Sequence, residues 1–164
     1  MPESKALLKS LTDVNGISGH EMQVKSLMKD YLTPVSDELG GIFGKKNATH
    51  GTKSLMISGH LDEIGFIVTQ IDEQGYIYFT PIGGWWNQVM LSQKVTITTE
   101  SGKEIRGIIG SKPPHALSPE ERKKPVDIKN MYIDIGVRNK EEAKEAGIEL
   151  GNMITPYSEF ESLA

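Results

Sequence analysis

The feature that most constrains this chain is a series of short apolar runs from Gly65 to Tyr157, each separated from the next by turn-forming residues. FIVTQID and YIYFTPI flank Glu73-Gln74-Gly75, and KVTITTE and KEIRGIIG flank Ser101-Gly102. Each pair reads as a hairpin, because β-branched and aromatic runs broken by a Gly-containing turn favour antiparallel pairing. In KVTITTE, Val95, Ile97 and Thr99 alternate with Thr96, Thr98 and Glu100, so one buried and one wet face are expected. MYIDIGV and ELGNMITPY read as two further strands. Between them Asn139 can cap a short helix, KEEAKEAG, that stops at Gly147. SKPPHALSPEERKKP is a Pro-rich loop with room for one helical turn. Five or six short strands with small helical pieces point to a partly closed barrel.

The first 64 residues follow a different period. Ala6, Leu7, Leu8 and Leu11 form one helical stripe, and Asn15-Gly16 breaks it. Ser18-Gly19-His20-Glu21 has the form of a capping box. A second helix is therefore expected, with Met22, Val24, Leu27, Met28, Tyr31 and Leu32 on its apolar face and an end near Pro34. Val35 to Leu39 and Ile42 to Lys46 suit two short strands around Gly40-Gly41. Residues 53–59 (KSLMISG) suit a buried strand leading to His60.

Composition narrows the chemistry. The chain has 164 residues, no cysteine and a net charge of -4. Thiolate metal sites and disulfide frameworks are excluded, so any metal must be held by His, Asp or Glu. The charge argues against nucleic acid as a partner. The basic cluster Arg122-Lys123-Lys124 sits beside Glu120 and Glu121 and reads as a solvated turn. No apolar run suits a membrane span, and the N-terminal MPESKALLKSL lacks the apolar core of a secretory signal. A cytoplasmic protein is expected.

The sharpest local feature is Gly59-His60-Leu61-Asp62-Glu63-Ile64-Gly65. In extended chain His60 and Asp62 point to the same side. A carboxylate at that spacing can accept the second imidazole N–H, fix the tautomer and raise the ring's basicity as a zinc or cobalt ligand. Taken alone the pattern is short and common, and a structural histidine paired with a carboxylate is its more frequent meaning. Glu63 points the other way, so Asp62 and Glu63 are poorly placed to flank a glycosidic bond. His20 serves the helix start, His50 sits in a turn, and His115 sits on the long loop, as a polar surface residue or facing a neighbouring subunit's site. Of Trp85 and Trp86, one is expected to pack and the other to face an interface.

GHLDEIGFIV resembles the first metal-ligand motif of the glutamyl and deblocking aminopeptidases, clan MH peptidases that form tetrahedral (TET) particles. LLKSLTDVNGISGHE resembles their N-terminal helix, loop and cap, and PIGGWWNQVMLSQKVTI their GGW…Q…VTI stretch. SKPPHALSPEERKK and IKNMYIDIGVRNKEEAKEAGIELGN follow their loop and closing strands. The resemblance implies an α/β class: a phosphorylase/hydrolase-like peptidase domain (1–64), an inserted PDZ-like β-barrel dimerisation domain (65–158), and a return into the peptidase domain (159–164). It implies that His60 binds one of two divalent metals and that Asp62 orients it on the catalytic side. Peptides are the implied substrates, and dimers building a larger homo-oligomer the implied assembly.

The family's remaining ligands come later in the chain: a bridging Asp, a carboxylate, another His, and a Glu general base beside a ligand Glu. The sequence stops at FESLA before any of them. A piece of a longer protein is therefore expected, inactive alone and prone to associate through its exposed helix faces. The alternative from another class is a non-catalytic oligomerisation or peptide-binding β module spanning 65–158.

Overall fold

A computed structural model describes residues 2–31, 34–36, 41–45, 50–51 and 53–163. Packing divides the chain into two compact units, residues 1–62 with 160–164, and residues 63–159.

The second unit is a closed barrel of six antiparallel strands: β3 (Gly65–Ile71), β4 (Ile77–Ile82), β5 (Lys94–Thr98), β6 (Glu104–Ser111), β7 (Met131–Asp134) and β8 (Met153–Pro156). Around the barrel the order is β3, β4, β7, β6, β5, β8 and back to β3. The expected hairpins are β3–β4 and β5–β6. Closure is complete rather than partial, because β8 pairs on both sides, with Ile154 opposite Ile97 of β5 and Phe66 of β3. Full closure leaves no strand at an open edge.

Phe66, Val68, Ile77, Ile97, Ile133 and Ile154 fill the interior, each no more than 1% exposed. Phe66 packs edge-on against Phe79 at 4.8 Å and stacks on Trp85 at 4.5 Å. Such aromatic pairs contribute beyond simple area burial.

The expected wet face of β5 is a correction. Thr96 and Thr98 are buried along with Val95 and Ile97. Thr96 stands opposite the fully buried Thr155 of β8, and its hydroxyl accepts a hydrogen bond from the Arg106 guanidinium. That guanidinium lies 3.9 Å from the centre of the Tyr157 ring, so a cation–π pair roofs the strand.

Local chemistry set the turns as expected. The Asp72 carboxylate accepts from the Gln74 and Tyr76 N–H groups at 3.0 and 2.9 Å, and Gly75 takes a φ of +85°. A Cβ at Gly75 would lie 2.8 Å from the Asn139 carbonyl oxygen. Asn139 caps α3 (Lys140–Glu145), accepting from the Glu142 N–H at 2.9 Å. The Pro-rich loop contains two short 3-10 turns, at Pro114–Ala116 and Glu121–Lys123, and a third, Ile128–Asn130, follows it.

In the first unit α1 spans Pro2–Asp13 and α2 spans Met22–Met28. The second helix is shorter than its apolar pattern implied. Of that pattern only Val24 is buried, while Met22 and Tyr31 are exposed, so little packing supports a longer helix. Leu32 lies outside the described residues. The expected capping box is a correction: the cap residue is Glu21 rather than Ser18, it makes no side-chain cap bond, and its carboxylate accepts instead from the Gly19 N–H at 2.7 Å. β1 (Pro34–Ser36) pairs antiparallel with β2 (Ile42–Gly44), and the expected turn residue Gly40 lies outside the described residues. No described helix is long and apolar enough to cross a membrane.

Asp13 at the end of α1 accepts from Lys9 and from the Phe160 N–H at 2.9 Å. The Lys9 ammonium, then the Phe160 amide, hold its carboxyl below the ordinary aspartate range. A depressed folded-state pKa makes this contact present above the ordinary aspartate pKa and lost as pH falls through the depressed value. The Phe160 amide proton should therefore shift upfield on acidification below that range, and the Asp13→Ala variant should show no such step. Gly75→Ala should cost about 2 kcal/mol in urea unfolding, through left-handed backbone strain and the clash with Asn139. A loss below the error of the fit would remove Gly75 from this role.

Candidate metal-binding site

The segment that delivers His60 differs from expectation. From Lys53 to Leu61 the described chain forms neither strand nor helix, and Leu55, Met56 and Ile57 are 86%, 87% and 87% exposed. A buried strand needs neighbours along its edges, and among the described residues none pairs with 53–59. The apolar pattern is present without the sheet that would cover it.

The structure nevertheless brings His60 and Asp62 together. His60 Nδ1 lies 2.8 Å from the Asp62 carbonyl oxygen and 3.2 Å from its carboxylate Oδ1. Both partners are acceptors only, so Nδ1 must carry the proton and donate. Nε2 is then the free lone pair. The His60 side chain is 84% exposed, so that lone pair is accessible rather than turned into a core. The sequence anticipated the carboxylate contact. It did not anticipate that the Asp62 backbone carbonyl is the nearer acceptor. That second acceptor is a backbone group and carries no side-chain signature.

One imidazole with its Nδ1 tied and its Nε2 outward suits a single metal ligand. Catalytic zinc takes about three protein ligands. Among the described residues no three His, Asp or Glu side chains gather closely enough to hold a metal ion. His60 thus fits as one arm of a metal site, and the described residues do not assemble the others.

The remaining candidates stand apart from this pair. His20 is exposed, and its backbone N–H donates to the Ile17 carbonyl at 2.9 Å; the ring caps nothing. His50 is exposed at a bend, and His115 is exposed in the first 3-10 turn of the long loop. Trp85 is the packing tryptophan, stacked on Phe66 with its Nε1–H donated to the Gly65 carbonyl at 2.9 Å. Trp86 is 65% exposed. The roof formed by Arg106 and Tyr157 went unnoticed in the sequence. Its only signal was an Arg on β6 and a Tyr just past β8, the two strands that flank β5.

A family profile described as M42 glutamyl aminopeptidase matches residues 40–164, and one described as AMPT matches residues 3–28. FrvX of Escherichia coli (strain K12) is 42% identical over 158 residues, covering 94% of this chain and 44% of that protein. The crystal structure of a TET aminopeptidase from the marine sediment archaeon Thaumarchaeota archaeon SCGC AB-539-E09 superposes with a TM-score of 0.89 at 42% identity, covering 99% of this chain and 46% of that one. The TET1 peptidase of Pyrococcus horikoshii, which can assemble into a tetrahedron or a large octahedral shell, superposes with a TM-score of 0.79 at 30% identity, covering 96% and 48%. The chain thus spans less than half the length of the relatives it matches.

The assigned tautomer is directly measurable. Long-range proton–nitrogen correlation spectra at neutral pH should show His60 protonated at Nδ1. Asp62→Ala should keep most of that population, because the carbonyl acceptor survives. A dominant Nε2–H tautomer in the unmodified chain would contradict the geometry.

Proposed function

This chain belongs to the M42 glutamyl aminopeptidase family, and from that premise we propose that it forms the front part of a metal-dependent aminopeptidase that removes N-terminal residues from peptides. The observation that carries the reading is the outward Nε2 of His60, with Nδ1 held by Asp62 at 2.8 and 3.2 Å. His60 is the metal ligand in this reading. Asp62 is a positioning residue that fixes the ring's tautomer and direction.

Two divalent ions, zinc or cobalt, would supply the chemistry when bound, by lowering the pKa of a shared water and polarising the scissile carbonyl. Zinc and cobalt accept the same imidazole and carboxylate donors, so the donor set does not choose between them. One described ligand does not hold two ions. The other ligands and the Glu general base belong, in this reading, to the length that the relatives have beyond this chain. The exposed run Leu55-Met56-Ile57 supports the same view, since an apolar strand of an open α/β sheet is covered only when its neighbours are present.

The domain reading follows. Residues 1–64 and 159–164 belong to a phosphorylase/hydrolase-like α/β peptidase domain, and residues 65–158 to a PDZ-like insert that dimerises. The separation of residues 63–159 as a compact unit supports it. The assembly of the Pyrococcus horikoshii relative supports a homo-oligomer for the complete protein.

Hydrolysis of amino-acid p-nitroanilides tests the reading in two arms. The 164-residue chain with added cobalt or zinc should release no p-nitroaniline, whereas a protein of the relatives' full length carrying this sequence should, in a chelator-sensitive manner. In that longer protein His60→Ala should abolish activity. Asp62→Ala should lower metal affinity by about tenfold, the low end of what orienting partners contribute, because its carbonyl remains. Chelator-sensitive turnover by the short chain, or full activity of the His60→Ala enzyme, would overturn the assignment.

A further inference from the structure

Two cavities on the outer face of the barrel adjoin at a single side chain. One, of about 690 Å³, is walled by Lys94, Arg106, Ile108 and Tyr157. The other, of about 580 Å³, is walled by Tyr78, Lys112, Leu117 and Lys124. Tyr132 lines both. Its ring lies against Gly110, directly opposite it in the β6–β7 ladder, where a Cβ would come within 3.1 Å of the ring. The missing side chain lets the aromatic ring lie over the strand as a floor. Ile108 is 51% exposed beside it, although its strand neighbours Gly107 and Ile109 face inward.

The charges along this face are unevenly satisfied. Its carboxylates are already engaged: Asp134 by the Gly136 N–H at 2.8 Å, Glu121 by the Ser118 N–H at 2.7 Å, and Asp127 by Lys129 at 3.1 Å. Among the described residues, Lys94, Lys112 and Lys124 enter no ion pair. In a chain of net charge -4 this face keeps cations at both ends and an apolar, aromatic middle.

We propose that this face binds an extended peptide that carries two acidic side chains with an apolar one between them. Lys94 stands opposite Ile108 in the ladder, and Lys112 follows Ile108 by four positions along the same strand direction. At about 3.3 Å per strand residue the two cations lie about 13 Å apart along the strand. An extended ligand places side chains i, i+2 and i+4 on one side, so acids at i and i+4 reach Lys94 and Lys112, and an apolar residue at i+2 sits on Tyr132 at the level of Gly110, with Ile108 beside the Lys94 end. A single nucleic-acid strand carries a charge on every unit and would bring phosphate over the apolar middle at Tyr132. The face shares no residue with the His60–Asp62 pair and does not depend on the peptidase reading.

The probe is an N-acetylated, fluorescein-labelled peptide containing Glu-Ser-Leu-Ser-Glu, titrated with the chain by fluorescence anisotropy and mapped by amide chemical shifts. Saturable binding is expected, weakened by salt, with shifts centred on Ile108, Gly110 and Tyr132. The Lys112→Glu, Lys124→Glu double variant, confirmed as folded by circular dichroism, should bind at least tenfold more weakly. Ile108→Ser should weaken binding while leaving its salt dependence unchanged. The proposal fails if the folded chain does not bind the peptide saturably. It fails equally if a peptide with Lys in place of Glu binds as well, if an oligothymidylate displaces the peptide at lower concentration, or if the shifts fall elsewhere.

Discussion

The barrel depends on its last strand. β8 pairs with β5 on one side and β3 on the other, and Ile154 lies in both ladders. These contacts are long-range: Ile154 lies 57 positions from Ile97 and 88 from Phe66 in the chain. Their closure is what lets six strands, none longer than eight residues, bury a shared interior. A sheet of short strands left open would expose unpaired N–H and C=O groups along two edges. Closing it satisfies them and places Phe66 against Phe79 and Trp85. The unit from Glu63 to Glu159 can be compact by itself because its first and last strands are neighbours.

What could be read from the sequence follows the range of the interaction responsible. The turn at Asp72–Gly75, the Asn139 cap and the two hairpins are set within a few residues, and each was evident from residue types and spacing. The family resemblance was evident too, because it rests on ordered motifs such as GHLDEIG and GGWWNQV. Thr96 and Thr98 were read as wet because alternation describes one strand. Thr96 stands between Thr155 and Arg106, and Thr98 between Met153 and Glu104, on neighbouring strands that alternation cannot show. The two adjacent tryptophans were indistinguishable in sequence. Stacking on Phe66, nineteen residues earlier, separates them.

The first unit shows the converse. KSLMISG has the composition of a buried strand, yet its side chains are exposed, and α2 stops at Met28 although its apolar spacing continues. In both places the local pattern asks for a surface to pack against, and none of the described residues supplies it. Apolar periodicity states what a segment would do in contact with a partner. It does not state whether the partner is in the same stretch of chain. A chain that spans less than half of its relatives' length can carry complete signals for elements whose packing depends on residues outside it.

The His60–Asp62 pair sits at the boundary between these two cases. Its aim is local: an imidazole and two acceptors two residues away fix which nitrogen is protonated, whatever surrounds them. The gathering of several ligands around a metal is not local, since such ligands come from different elements and meet only when a sheet is assembled. The direction of the lone pair is therefore set even though the described residues gather no group that could hold a metal ion. That separation explains why a short motif can specify a ligand while remaining silent on whether a site exists. It also explains why the orienting contact is partly made by the backbone. A carbonyl two residues on holds the ring through the chain's own path.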